Sequence, residues 1–373
     1  MLSSATSTIP YVDLKGQWQS EREELLPIIE KILASGNYIG GRVVDDFEAA
    51  VAKFCGTKFC VALNSGTDAL ALSLAALEVG PGDEVITQPN SFVASAGSIK
   101  QVGAKPVFVD VDEYQQMDPS KIESAISSKT KAIMPVHLTG RIGDISRIKK
   151  IAEDYQLLIV EDAAQSIGSM FRERKSGTFG KVGCFSAHPL KNLNACGDAG
   201  FVVTDDQEIA EYIRKSRNHG MIDRDTVVSF GSVSRMDSIQ AGILNYRLNK
   251  IDDIIRMRQR NADLYRQTLD ENFIFYPDVR PDYEDTYHTF VIQVDERDAL
   301  AKHLQENGIG TAIHYPTPIH LQQAAKFLRF KLGDFPNAEN QAKRIMSLPI
   351  NQNLSVDQIQ YIAERVNEFY IQN

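Results

Sequence analysis

From residue 59 onward, short apolar runs alternate with longer amphipathic stretches. Residues 59–63, 84–87, 106–110, 132–136, 157–160 and 201–204 are runs of four or five residues, rich in Val, Ile and Ala. Such runs predict buried strands. Residues 69–77, 93–102, 119–127, 144–155 and 206–217 lie between or after them with helical spacing of apolar positions. This alternation predicts a mostly parallel sheet covered by helices on both faces, an α/β fold. Ahead of it, Ile9 to Leu14 reads as an extended lead-in. Residues 17–35 place Trp18, Leu25, Ile28, Ile32 and Leu33 at helical spacing. Gly40-Gly41 then precedes a second helix with Phe47, Val51 and Phe54 on one face. Behind the alternating region come a charged loop at 220–232, a helix at 237–248 and a long helix at 251–270. A second α/β unit is expected beyond Pro277: strand 288–294, helix 297–306, a Gly308/Gly310 turn, strand 311–315 and a final helix at 355–370. The division falls near residue 250, giving a large unit at 1–250 and a small C-terminal unit at 251–373.

Length and composition narrow the class. The chain has 373 residues, 43% hydrophobic and 24% charged, enough for a large core split between two domains. Its net charge is -9 and it has no run rich in Lys and Arg, which argues against a nucleic-acid surface. Cys55, Cys60, Cys184 and Cys196 lack metal-ligand spacing, so no metal site is expected. Cys184 and Cys196 read as buried thiols rather than a disulfide. Residues 1–10 are polar without an apolar signal core, and no stretch approaches the roughly 20 apolar residues of a membrane span. A cytoplasmic protein with no membrane partner is the expectation.

Two strand ends carry the candidate chemistry. The run at 157–160 ends in Glu161-Asp162, and an apolar strand around Cys184-Phe185 enters a turn whose exit holds Lys191. A lysine and a carboxylate at adjacent strand ends suit pyridoxal 5'-phosphate (PLP). The lysine bonds the cofactor as a Schiff base, and the carboxylate keeps the pyridine nitrogen protonated so that the ring accepts electrons. The strand–turn–helix at Asn64-Ser65-Gly66-Thr67-Asp68 offers free N–H groups to a phosphate, although an ordinary capped helix has the same residues. Thr67, Phe92, His137, Asp162 and Lys191 all fall just past predicted strand ends, where ligands of open α/β sheets collect.

In order along the chain stand the Asn64-Ser65-Gly66-Thr67-Asp68-Ala69-Leu70 turn, Asn90-Ser91-Phe92-Val93-Ala94, Pro135-Val136-His137-Leu138 and Glu161-Asp162-Ala163-Ala164-Gln165. They are followed by the Lys191 stretch with Gly197-Asp198-Ala199-Gly200, Arg217-Asn218-His219-Gly220, Ser234-Arg235-Met236-Asp237 and His314-Tyr315-Pro316. Together these motifs resemble the DegT/StrS family of nucleotide-sugar aminotransferases, over nearly the whole chain. The resemblance implies a three-layer α/β/α large domain of the aspartate-aminotransferase type with a smaller C-terminal α/β domain. It implies Lys191 as Schiff-base lysine and proton shuttle, and Asp162 as pyridinium partner. Gly66, Thr67 and Ser186 would hold the phosphate. Phe92 would stack on the ring, unless it is a core residue. Gln165 would bond the ring hydroxyl or stack near the ring. His188, His314 and Tyr315 would shape the substrate site, as would His137 unless it is structural. The implied reactants are a nucleotide-linked keto sugar and L-glutamate, and the implied assembly is a homodimer with shared sites. Many relatives carry Asn two residues before Arg235 to reach the neighbouring subunit's cofactor phosphate. Here that residue is Val233, so either Arg235 or the nearby loop serves the phosphate, or the site has one contact fewer. A sugar dehydratase on the same scaffold, with histidine in place of the lysine, and a non-catalytic regulator are the alternatives. The Gly197 to Gly200 tail leans toward amination at C3 rather than C4.

Overall fold

The computed structural model describes residues 8–372, so the reading of the first seven residues as lacking a signal core lies outside the described residues. Five parallel strands follow in order: β1 (Phe59–Leu63), β2 (Glu84–Thr87), β3 (Lys105–Phe108), β4 (Thr130–Ile133) and β5 (Leu158–Asp162). A hairpin of β6 (Met170–Phe171) and β7 (Arg174–Lys175) precedes β8 (Val182–Ser186) and β9 (Gly200–Thr204). The large sheet runs β1-β9-β8-β5-β4-β2-β3, with only β9 antiparallel to its neighbours.

Period-two alternation buries both faces of this sheet. Cys60, Ala62, Phe185, Phe201 and Val203 pack with α2 (Arg42–Cys55) and α8 (Ser238–Leu248). The intervening Val61, Leu63, Cys184 and Val202 pack with α3 (Gly66–Ala76), α4 (Ala94–Gln101) and α7 (Gln207–Ser216). Toward the β3 edge, Ile86, Ile133 and Ile159 meet Ile145, Ile148 and Ile151 of α6 (Ile145–Asp154). Helix α1 (Leu14–Ser35) lays Leu25 against Ile243 and Tyr246 of α8. Its Trp18, Leu26 and Leu33 stay exposed.

Helix α9 (Ile251–Thr268) passes from one core to another. Ile251 and Ile255 belong to the sheet's core, whereas Ala262 and Tyr265 belong to the C-terminal one. That second core also contains α10 (Arg297–Glu306), β11 (Phe290–Gln293), β12 (Ile345–Leu348) and α12 (Val356–Gln372). The two-residue strand β10 (Tyr283–Glu284) pairs back onto β6. Ile9 departs from the expected division: it packs in the C-terminal core and bridges Ile309.

Three other expectations are corrected. Residues 311–315 are not a strand, because only Ala312 makes a bridge, to Ser347; the partner of β11 is β12. Before β12 stands α11 (Pro336–Arg344), whose buried positions are Ala338, Glu339, Gln341 and Ala342. With no large apolar residue among them, it has no hydrophobic stripe to read. The helix expected at 119–127 is a single turn, α5 (Ile122–Ala125), after a 3-10 turn. Cys196 is exposed, although Cys55, Cys60 and Cys184 are buried, and all four are free.

Candidate active site

Asp162 ends β5, and its carboxylate is fixed from two sides. Its Oδ2 accepts from Ser95 Oγ at 2.7 Å and its Oδ1 from the Ala164 N–H at 3.2 Å. Ser95 sits in the first turn of α4 and is buried. Burial holds the Asp162 carboxyl above the usual carboxylate range, while the Ser95 and Ala164 bonds and the nearby Lys191 and His137 work against it.

Lys191 follows β8 on a pinned loop. Its own N–H donates to His188 O at 2.8 Å, and the Ala187 and Ala195 N–H groups bond across the loop to Ala199 and Ala187. Asn192 Nδ2 donates to Thr286 O at 3.0 Å. Asn194 exchanges two amide bonds of 3.0 Å with Gln17 of α1. Arg247 of α8 donates to Asn194 O at 2.6 Å and to Glu21 at 2.6 Å. The lysine is therefore held from three other elements. Burial brings its amine down to about 8, opposed by the Asp162 charge, so near neutral pH a fraction is already the free, nucleophilic base.

Both side chains line one cavity of about 460 Å³. Gly66, Thr67, Phe92, Gln165, Ser186, His188, His314 and Tyr315 also line it, ten of the twelve residues expected from the sequence. Phe92 and Tyr315 stand with ring centroids 5.7 Å apart. The Gln165 carbonyl oxygen accepts from the Thr139 N–H at 2.7 Å, and its amide reaches the Tyr315 hydroxyl at 3.5 Å. Tyr315 is pushed up to about 12 by burial and by the Asp162 charge. His314 Nδ1 meets Ser347 Oγ at 2.9 Å, and burial with the Lys191 charge brings its ring down to about 4. His188 is exposed at the rim.

The other two residues stand elsewhere. His137 is corrected: alternation along Val136-His137-Leu138 turns Val136 and Leu138 to the cavity and His137 away. Its Nε2 meets Glu161 at 3.0 Å, and neither side chain is exposed. Glu161 also accepts from the Gly177, Phe179 and Gly180 N–H groups, so the pair is a structural knot under the sheet. Arg235 lies outside its own chain's cavity, where it donates to Asn218 Oδ1 at 2.9 Å.

The residues present fit PLP. At the start of α3, Ser65 Oγ caps the Asp68 N–H. The Gly66 and Thr67 N–H groups, in the first helical positions, have no intrahelical acceptor and suit a phosphate. Gly66 must be glycine at this spot: a Cβ there would stand 2.7 Å from Ser186 Cβ. Lys191 and Asp162 face the same space with the polarity that an aldehyde and a pyridine nitrogen require. Sequence reasoning overlooked Ser95, which lies 67 positions from its carboxylate partner. It also overlooked Tyr11, Arg258, His288 and Asn351 in the cavity wall. Short-range pattern carries no signal for such contacts.

Fold and site together define a three-layer α/β/α transferase of the PLP-dependent type. The profile of the DegT/DnrJ/EryC1/StrS aminotransferase family matches residues 19–367. The chain belongs to that family. It is 41% identical over 96% of its length to a UDP-N-acetyl-3-dehydro-alpha-D-glucosamine 3-aminotransferase of Acidithiobacillus ferrooxidans, 96% of which is covered. It is 38% identical to a protein of Geobacillus stearothermophilus named pleiotropic regulatory protein, over 97% of this chain and 98% of that one. Among solved structures, S. venezuelae DesV in complex with a ketimine intermediate superposes with a TM-score of 0.95 at 38% identity, covering 98% of this chain and 99% of that one.

Proposed function

We propose that this PLP-dependent aminotransferase converts the C3 keto group of a nucleotide-linked sugar to an amino group, with L-glutamate as donor. The observation that carries the reading is the joint presence of Lys191 and Asp162 in one cavity above the Gly66/Thr67 turn. The position on the sugar follows the Acidithiobacillus relative, named for a 3-dehydro substrate. When bound, PLP supplies a ring that accepts an electron pair and carries the amino group between two substrates. Gly66, Thr67 and Ser186 would hold its phosphate, and Asp162, oriented by Ser95, would hold the proton at its pyridine nitrogen. Lys191 Nζ would remove the proton from the donor's α-carbon and return one to the sugar carbon. The test is spectroscopic: glutamate should abolish the near-visible absorbance of the loaded protein, and a nucleotide-linked keto sugar should restore it. A band indifferent to glutamate and every other amino donor would favour a regulatory role, as in the name of the Geobacillus relative.

We further propose a homodimer with shared sites. Large side chains at Ile222, Val227, Val228 and Phe230 are exposed on one segment, beside Arg235 and the exposed Val233. Apolar groups gathered in this way mark an interface. Mixing Lys191→Ala with Arg235→Ala subunits should pair one intact lysine with one intact arginine in each mixed dimer. About a quarter of wild-type specific activity is expected from an equal mixture of inactive parents. No recovery despite demonstrated subunit exchange would sink the shared site. Among the described residues no helix is long and apolar enough to cross a membrane. A cytoplasmic location, where nucleotide sugars and glutamate both occur, completes the reading.

A further inference from the structure

The cavity contains a cation that the roles above leave unused. Arg258 of α9 lines it beside Tyr11, His288 and Gln352, and its side chain is buried, at 7% exposure. The other two arginines that are fully buried among the described residues are matched by acids: Arg141 meets Asp285 at 2.8 Å and Arg247 meets Glu21 at 2.6 Å. Arg258 has no such partner among the described residues. It donates to Tyr287 O at 3.0 Å, His288 O at 3.2 Å and Gln352 Oε1 at 3.4 Å, all neutral acceptors. Its Nε is buried with no acceptor. Burial lowers it only to about 10, so it remains a cation at neutral pH. Burying a charge without a counter-ion is unfavourable, and an anionic ligand in the cavity would relieve it.

The surroundings agree. His288 is a half-buried cavity residue whose ring nitrogen Nδ1 is buried without a hydrogen-bond partner. Desolvation first, and then the charges of Lys191 and Arg258, hold its ring well below the usual histidine range. The acids of the cavity wall are engaged or exposed: Asp162 accepts from Ser95 and Ala164, Asp13 caps α1 through the Gly16 N–H at 2.8 Å, and Asp198 is exposed. A permanent positive charge next to a neutral imidazole suits a carboxylate, which a guanidinium grips by two N–H bonds.

We infer that Arg258, with His288 beside it, receives a carboxylate of the amino donor, so that the enzyme selects an amino acid over a simple amine. This rests on the aminotransferase reading above. The probe is glutarate, a dicarboxylate that cannot donate nitrogen, titrated calorimetrically into the PLP-loaded protein. Arg258→Gln removes the charge and leaves two amide N–H donors in place of the guanidinium's five. It should weaken glutarate binding about tenfold or more and raise KM for glutamate with little change in kcat. Affinity for the nucleotide-linked amino sugar and cofactor content should stay within about twofold of wild type. Unchanged glutarate affinity in the variant, an equal loss for both ligands, or no glutarate binding by wild type would overturn the assignment. Should Arg258→Gln fail to fold, a crystal structure of wild-type holoenzyme with glutarate decides. A carboxylate on the Arg258 guanidinium supports the inference, and glutarate seated elsewhere defeats it. Failure of wild type to transaminate any sugar with any donor would sink the aminotransferase reading instead.

Discussion

Lys191→Ala is expected to remove transamination while leaving a folded protein that still takes up PLP. Loss of a positioned proton-transfer group alone costs roughly a hundred- to ten-thousandfold. Here the same nitrogen also provides the nucleophile, so turnover should fall by about 10⁴-fold or more. The proposed phosphate cup is untouched, because Gly66 and Thr67 lie at the start of α3 and Ser186 at the end of β8. The loop should survive too, since Asn192, Asn194 and Arg247 pin it without the lysine side chain. Burial disfavours the charged amine. Its removal should therefore leave the melting temperature of the cofactor-free protein no lower than wild type. Adding the amino-sugar product to the loaded variant should give a stable absorbance shift that progresses no further. Turnover above about one per cent of wild type would mean that another group carries the chemistry.

Asp162→Asn should retain the fold and the cofactor but lose about a thousandfold in turnover, the scale for deleting one preorganised electrostatic partner. The amide oxygen can keep the bond from the Ala164 N–H, and the amide N–H can donate to Ser95 Oγ once that hydroxyl rotates, so the side chain is still held from both sides. What the variant lacks is the anion proposed to keep the pyridine nitrogen protonated. Burial raises the Asp162 pKa, so in the cofactor-free protein a penalty on folding grows as pH rises above the usual carboxylate range and is complete once pH passes the raised value. The neutral amide removes this penalty, and the cofactor-free variant should melt no lower than wild type at neutral pH. In the loaded enzyme the protonated pyridine nitrogen would favour the Asp162 anion, so wild-type activity should fall only at pH low enough to protonate this pair, an acid limb that the variant lacks. Turnover within tenfold of wild type at neutral pH would take Asp162 out of the role. Circular dichroism, cofactor absorbance and a pH–rate profile together separate these outcomes.

Strand–helix alternation was readable because each strand of the large sheet is apolar on both faces. Eight of the ten expected residues that meet in the cavity lie at or just past strand ends on one edge of the large sheet, and His314 and Tyr315 join them from the C-terminal unit. His137 also follows a strand end, yet parity along the chain turns it toward Glu161. Counting alternate residues from Asp162 to Glu161, and from Val136 to His137, would have separated the two faces. Helix α11 was missed because Ala338, Glu339, Gln341 and Ala342 bury it without an apolar stripe. The segment at 311–315 has strand-like residues, but β12 occupies the place beside β11.

Local pattern alone determined the α/β class, the lysine and carboxylate at strand ends, and the turn that opens α3. Those features depend on residues close in the chain, where periodicity and chain-breaking glycines act directly. Tertiary structure decided which partners those groups have. Ser95 reaches Asp162 from α4, Asn194 reaches Gln17 across 177 positions, and Arg258 enters the cavity from α9. It also decided that Ile9 joins the C-terminal core rather than the sheet's own. Contacts of this kind arise when distant elements pack against one another. No stretch of a few neighbouring residues contains them, because the energy that fixes them is shared between segments that meet only in the folded chain.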